Sequence, residues 1–448
     1  MEPTVWSRNS ARSDNGEIAI AGVKAGDLVA EFGTPVYVVD EADAIARATE
    51  IKNSFDSAFA QIGTSVKVYY AGKAFLCTEV ARWMTTVGLN VDVASAGEMA
   101  VALAAGVDAS RLGFHGNNKS VAEIDRAVRV GIGPIVIDSA IEIERIAAAA
   151  ARHNTVQRVR LRINSGVHAS THEYLATARE DQKFGIPLTE AEAMVAQIRS
   201  HPSLDFVGIH SHIGSQIFDT AGFAEAARRL LELHARLSAV APVPELNLGG
   251  GFGIAYTSVD EALPVAELAK SLASIVDAEC SRLGIDVPLI AIEPGRSIIG
   301  PSTTTLYTAG TIKDVLVEGE AVRKYVSVDG GMSDNLRPAL YAAEYSARIA
   351  NRVSDVAPEL VRIAGKHCEA GDIVVRAEYL PGDVSHDDII AVPATGAYGW
   401  AMSNNYNYIA RPPVVAVRDA KARIIVRGES EEDLLSRDAG ITLSGDSE

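Results

Sequence analysis

From about residue 40 to 300 one pattern recurs along the chain. A short apolar run leads into a polar or glycine-containing turn, and then into an Ala-rich stretch with apolar residues at helical spacing. The apolar runs predict strands at Val66–Tyr70, Asn90–Val93, Arg111–Phe114, Pro134–Ile137, Arg158–Ile163, Phe206–His210, Glu245–Leu248 and Pro288–Ile292. The stretches between them, such as Ile141–Ala151, Phe223–Val240 and Val265–Leu283, predict helices with one apolar face. Strands alternating with helices predict parallel pairing, because a parallel neighbour is reached only by a long crossover. Eight such units over residues 41–300 predict a closed (β/α)8 barrel, the TIM-barrel architecture, with an open doubly wound sheet as the alternative.

After Pro301 the texture changes. Thr303–Val315, Lys324–Asp329, Ile373–Val375, Ile389–Val392 and Val414–Val426 read as β-rich, with no regular helices between them. Residues 301–448 therefore predict a second, mainly antiparallel β domain. Residues 1–40, which end in Pro35-Val-Tyr-Val-Val-Asp40, are expected to add strands to it. From about Gly428 the chain is acidic and polar and reads as a frayed end.

Composition narrows the function classes. The 448 residues exceed one ordinary domain, and 48% hydrophobic content is enough for large buried cores. A formal net charge of −17 argues against general binding to nucleic acid or anionic membrane. No run of eighteen apolar residues and no basic, then apolar, N-terminal segment is present, so neither a membrane span nor a secretory signal is expected. The three cysteines, Cys77, Cys280 and Cys368, form no CxxC and predict no disulfide framework and no zinc cluster. A reducing cytoplasm is the expected location.

In α/β barrels the chemistry sits where strands end, at the C-terminal face. Lys73 follows the first predicted strand, Ser95 lies just past Asp92 on the second, and His115-Gly-Asn-Asn118 follows the third. Asn164, His212-Ile-Gly-Ser215, Gly249-Gly-Gly-Phe-Gly253 and Glu293-Pro-Gly-Arg296 follow the fifth to eighth. These groups are expected to converge on one mouth. Lys73 reads either as half of a barrel-mouth ion pair or as a Schiff-base lysine, whose amine burial makes nucleophilic. Gly249, Gly250 and Gly251 read either as a tight turn or as a backbone cradle for a phosphate, with the Ser215 hydroxyl beside it. Glu293 reads either as an internal partner of Arg296 or as a carboxylate facing a cofactor's ring nitrogen. His210 and His212 share a strand face, so a metallohydrolase with His115 and Asp92 as further ligands is a competing reading. Residues 165–183, with His168, His172 and Glu173, form a long polar connection of the kind that serves as a lid.

Taken in order, Tyr69-Tyr-Ala-Gly-Lys73, Asp92-Val-Ala-Ser95, His210-Ser-His-Ile-Gly-Ser-Gln216, Gly249-Gly-Gly-Phe-Gly253, Glu293-Pro-Gly-Arg296, Asp329-Gly-Gly-Met332, Cys368-Glu369 and Gly396-Ala-Tyr398 resemble the fold-type III pyridoxal-phosphate (PLP) decarboxylases. The resemblance runs over nearly the full chain. It implies that Lys73 carries PLP, that His212 stacks on the ring, and that Glu293 contacts the ring nitrogen. It places Asp92, Ser215, Gly249, Gly250, Gly251, Gly295, Arg296 and Tyr398 around the cofactor. It further implies that Arg296, Arg337 and Tyr341, with Tyr398 nearby, hold a distal carboxylate of the substrate, and that Glu369 binds its distal amine. Cys368 is implied to protonate the α-carbon, its loop coming from the partner in a homodimer with shared active sites. The implied reaction is decarboxylation of meso-2,6-diaminopimelate to L-lysine and CO2, the last step of lysine biosynthesis, with no metal. A planar guanidinium fork suits a substrate that keeps a second carboxylate, which a simple diamine product lacks. Ala370 departs from the pattern, since many relatives carry serine there, and a hydroxyl contact to substrate is absent. Open alternatives are an ornithine, arginine or lysine decarboxylase of the same fold, an amino-acid racemase, and a catalytically silent regulatory relative.

Overall fold

The computed structural model describes residues 1–2, 4–167, 183–317 and 322–441. The chain divides into two units. One comprises Ile45–Ile254 with Glu261–Ile298, and the other Met1–Ala44, Ala255–Asp260 and Ile299–Glu448.

The first unit is a closed barrel. Its strands are Val66–Ala71, Asn90–Val93, Leu112–Phe114, Ile135–Ile137, Gln157–Asn164, Leu204–His210, Glu245–Asn247 and Leu289–Ile292. Each pairs in parallel with the next, and Ile290–Ile292 pairs with Val66–Val68 to close the ring. Closure removes both sheet edges, so the open-sheet alternative does not hold. A short extra strand, Ile186–Pro187, pairs with Ile163 and Asn164. The strands are short and mostly buried because they are covered on both faces, and their polar residues are concentrated on Gln157–Asn164. The outer helices bury one stripe each. In the helix Ala221–Ser238, Phe223, Ala226, Ala227, Leu230, Leu231, Leu233, His234 and Leu237 are buried, a three-and-four spacing. Burying a leucine such as Leu230 contributes about 1.5–3 kcal/mol, and Leu230→Ala would cost about 2–5 kcal/mol. The helix Val121–Arg129 starts at a capping box in which Ser120 and Glu123 satisfy each other's backbone N–H groups.

The second unit is a mainly antiparallel sheet in the order Ile373–Pro381, Pro358–Ala364, Val322–Val328, Thr303–Leu316, Val36–Asp40, Val414–Arg418, Lys421–Val426. Val36–Asp40 joins this sheet, as the sequence suggests. Ser10–Arg12, Ile18–Ile20 and Val23–Lys24 instead make a separate three-stranded sheet. Several details differ from the sequence reading. Val414–Val426 is a hairpin of two strands, turned at Asp419 and Ala420, both at positive φ without a glycine to announce it. Pro358–Ala364 is a strand with no alternating signal. A short helix, Arg337–Tyr341, interrupts the β region with Pro338 in its first turn. Of the segment after Gly428, the described residues up to Ile441 include a helix, Glu431–Leu435, capped by Ser430 and Asp433; residues 442–448 lie outside the described residues. Among the described residues, no helix is long and apolar enough to cross a membrane.

Candidate active site

The strand ends of the barrel open into a cavity of about 570 Å³ lined by residues that include Lys73, Asp92, Glu98, His115, Arg162, Phe184, His210, His212 and Glu293. Of the groups expected at one mouth, Lys73, Asp92, His115, His212 and Glu293 line this cavity, whereas Asn118, Asn164, Ser215, Gly249–Gly253 and Arg296 are not among its lining residues. Lys73 sits in the turn Gly72–Ala74 directly after the first strand, its side chain exposed to the cavity. His212 follows the sixth strand; burial, reinforced by the Lys73 charge, holds its ring well below the usual imidazole range and therefore neutral.

Glu293 is tied from two sides. Its Oε1 accepts from Asn247 Nδ2 at 2.6 Å, and its Oε2 accepts from His210 Nε2 at 3.2 Å. Asn247 is itself turned by Gly249 N–H, which donates to its Oδ1 at 2.8 Å. Burial would raise the Glu293 pKa, but His210 and His115 outweigh it and hold the group well below the usual range, an anion. Asp92 goes the other way: burial and the Glu293 charge push it well above its usual value. Both Asp92 oxygens are buried without a hydrogen-bond partner, as are His115 Nε2 and His210 Nδ1.

Beside these groups lies a backbone cradle. Gly249 and Gly251 take φ of 69° and 104°, which L side chains rarely adopt. A Cβ on Gly249 would lie 2.5 Å from Ser211 O, and one on Gly250 or Gly251 would strike Glu293 O or Gly214 O. Arg296 Nη2 donates to Ser215 Oγ at 2.7 Å, so a guanidinium and a hydroxyl meet on the same side of the barrel. A Cβ on Gly295 would lie 2.9 Å from Ala71 O, too close for a side chain.

The metal reading receives a different cluster from the one expected. His115, His210 and Glu293 each bring one potential ligand atom within 4.8 Å of the others, and His212 is not among them. Glu293 already accepts from His210 Nε2, and His115 Nε2 stands 3.4 Å from its Oε1 without a hydrogen-bond partner.

The remaining candidates belong to the second unit. Arg337 is 6% exposed. Its guanidinium lies 4.6 Å over the Tyr256 ring and donates to Tyr345 Oη. Tyr341 ends the short helix and is 60% exposed. Cys368 and Glu369 lie exposed on one turn, where Cys368 N–H donates to Asn407 Oδ1 at 2.9 Å. That turn is braced by Asp372, which accepts from His367 N–H, His367 Nδ1 and Met332 N–H. Tyr398 takes a φ of 63°. Of the long connection 165–183, residues 168–182, including His168, His172 and Glu173, lie outside the described residues.

Several lining residues were not singled out from the sequence: Glu98, Arg162, Phe184 and the supporting Asn247. Arg162 had a readable signal. Arg158, Arg160 and Arg162 alternate along one strand, which puts all three on one face, and on a barrel strand that face is the interior.

Residues 46–300, more than half of the chain, match the family described as pyridoxal-dependent decarboxylase, pyridoxal binding domain. The chain is similar to the diaminopimelate decarboxylase of Mycobacterium tuberculosis (strain ATCC 25618 / H37Rv), at 47% identity over 97% of this chain and 98% of the relative. It is 49% identical to that of Mycobacterium leprae (strain TN), over 97% of this chain and 93% of the relative. In structure it resembles the diaminopimelate decarboxylase of M. jannaschii in complex with L-lysine: TM-score 0.88, 29% identity, 96% of this chain and 98% of that one.

Proposed function

The chain belongs to the pyridoxal-dependent decarboxylase family, and from that premise we propose that it removes the α-carboxylate of meso-2,6-diaminopimelate to give L-lysine and CO2. The observation that carries the reading is the convergence of Lys73, His212 and Glu293 on one cavity beside the glycine cradle.

The residues fit PLP. Lys73 offers an amine, His212 a flat neutral ring, and Glu293 an anionic carboxylate already held in place. The Gly249–Gly251 turn, with Ser215 and Arg296, suits a phosphate because close backbone approach and a cation favour a dianion. When bound, PLP supplies the electron sink for the pair left on the α-carbon as CO2 departs. Lys73 would hold the cofactor and yield it to the substrate amine. Glu293 would keep the ring nitrogen protonated. Arg337, flanked by Tyr256 and Tyr345, offers a held guanidinium suited to the distal carboxylate; the resemblance gives Arg296 and Tyr341 the same role.

Cys368 Sγ would deliver a proton to the α-carbon, and Glu369 would hold the distal amine. Both stand exposed on their turn, consistent with a homodimer in which that turn serves the partner's cavity. An exposed thiol also suits a reducing, cytoplasmic setting.

The test is an absorbance spectrum of the purified protein with PLP, repeated after adding meso-diaminopimelate. The expected result is a band near ~420 nm that shifts on addition, with CO2 and lysine appearing. A band without turnover would redirect the reading to ornithine, arginine or lysine. No band with added PLP would sink the assignment of Lys73. Cys368→Ala should slow product formation while PLP stays bound; release of PLP would make its role structural.

A further inference from the structure

His115 has no part in the reading above, yet it lies at the centre of the cavity's charged groups. It follows the third barrel strand, its backbone N–H donating to Val93 O at 2.8 Å, which fixes where the ring starts. Its Nε2 is 3.3 Å from Asp92 Oδ1 and 3.4 Å from Glu293 Oε1, nearly equidistant from the two carboxylates. The ring meets that of His210 edge to face, centroids 5.1 Å apart and planes at 74°. His210 and His115 therefore reach Glu293 from different directions, one at Oε2 and the other at Oε1.

Two buried carboxylates this near a shared group do not both ionise, because the second charge would meet the first in a medium that screens poorly. Something must settle which of them keeps the proton. We propose that His115 is a positioning residue that gives its Nε2–H to the gap between Asp92 and Glu293, holding the negative charge on Glu293 at the cavity wall and leaving the proton on Asp92. The inference rests on the PLP reading, since it is the cofactor's ring nitrogen that Glu293 would face.

Three observations support it. Burial drives the His115 ring down to about 4, so it is neutral and carries a single N–H. Facing two carboxylate oxygens, that N–H is best placed on Nε2. The Asp92 carboxylate occupies the space a side chain on Gly113 would need, so the glycine leaves it room against the third strand, beside His115. Glu293 has Asn247 and His210 as donors, while Asp92 has none, so a third donor beside Glu293 favours the anion there.

The experiment compares His115→Phe, which keeps a ring but loses the N–H, with His115→Gln, whose side-chain amide keeps a donor. The readouts are the PLP dissociation constant by equilibrium dialysis and the spectrum of the loaded protein. His115→Phe should bind PLP about tenfold more weakly, the order expected for losing a polar N–H beside a buried charge, and should show a smaller share of the band near ~420 nm. His115→Gln should stay within about twofold of wild type. Unchanged affinity and spectrum in a folded His115→Phe protein would overturn the proposal. Equal losses in both variants would overturn it too, by making the ring's packing the cause. If His115→Phe fails to fold, His115→Asn replaces it: its shorter amide should fall short of Glu293 and bind weakly, and wild-type behaviour there would overturn the proposal. Wild-type protein that takes up no PLP would overturn the underlying reading itself.

Discussion

The barrel interior holds two buried charge clusters, one low between the strands and one at the mouth, and they are built on opposite terms. In the lower one, Arg160 is fully buried and meets Glu245 Oε2 through Nε at 3.1 Å and Nη2 at 2.7 Å. Nη2 also donates to Tyr69 Oη at 3.0 Å, while Lys67 and Arg158 hold Glu245 Oε1. Apart from Arg160 Nη1, its donors and acceptors are matched. At the mouth, Asp92 is buried and His115 half-buried, yet they lack partners on three buried atoms. A buried polar atom left unmatched costs roughly 1–3 kcal/mol. A fold tolerates that where the atoms serve a reaction, and the lower cluster shows that the same barrel can satisfy buried charge when structure is the sole demand. The contrast separates groups whose buried charge is matched within the barrel from groups left unmatched at its mouth.

The largest effect should come from the mouth. Lys73→Ala is expected to cut turnover by roughly 10⁴-fold or more with little change in the unfolding midpoint; a stopped assay for CO2 and a denaturant curve check both. Near-normal turnover would end the catalytic reading of the mouth. Next comes the lower cluster. Glu245→Ala strands Arg160 without its carboxylate and should cost about 3–5 kcal/mol of stability, seen in urea unfolding, while the folded fraction keeps its kcat. A slow but fully stable Glu245→Ala protein would erase the distinction between the two clusters.

The smallest effect carries the comparison into the other unit. Asp334 is buried there, its carboxylate accepting from Tyr307 Oη and from Gly331 N–H at 2.7 Å. Burial pushes it up to about 7; those bonds oppose the rise, and Asp372 and Asp329 add to it. A carboxyl whose folded pKa is raised takes up its proton more readily in the folded state than in the unfolded one. Its contribution to stability is then full below the ordinary value of 3.8 and is lost as pH rises to about 7. Asp334→Asn should flatten that part of the pH–stability curve, followed by thermal unfolding between pH 4 and pH 8. A slope unchanged by the substitution would mean that Asp334 is not the titrating group.

Much of the site could be read residue by residue because barrels put chemistry at strand ends. Lys73, His212, Gly249 and Glu293 each follow an apolar run, and that placement alone predicts a shared mouth. Arg162 was harder to see because its signal, three arginines at alternate positions, looks like a solvated edge until the strand is known to face inward. Asn247 ends its strand and matters only through Glu293 and Gly249, two contacts that no local spacing encodes.

What the sequence by itself determined is the order of elements, the apolar stripes that make them pack, and the reactive side chains that the turns carry. Periodicity is local, so it survives in one dimension. Tertiary structure alone decided that the ring of strands closes and that Asp419–Ala420 turns a hairpin without glycine. It also decided that the Glu293 carboxyl is held well below its usual range while that of Asp92 is pushed well above it, because such shifts depend on distances between residues some 200 positions apart and on the burial that surrounds them.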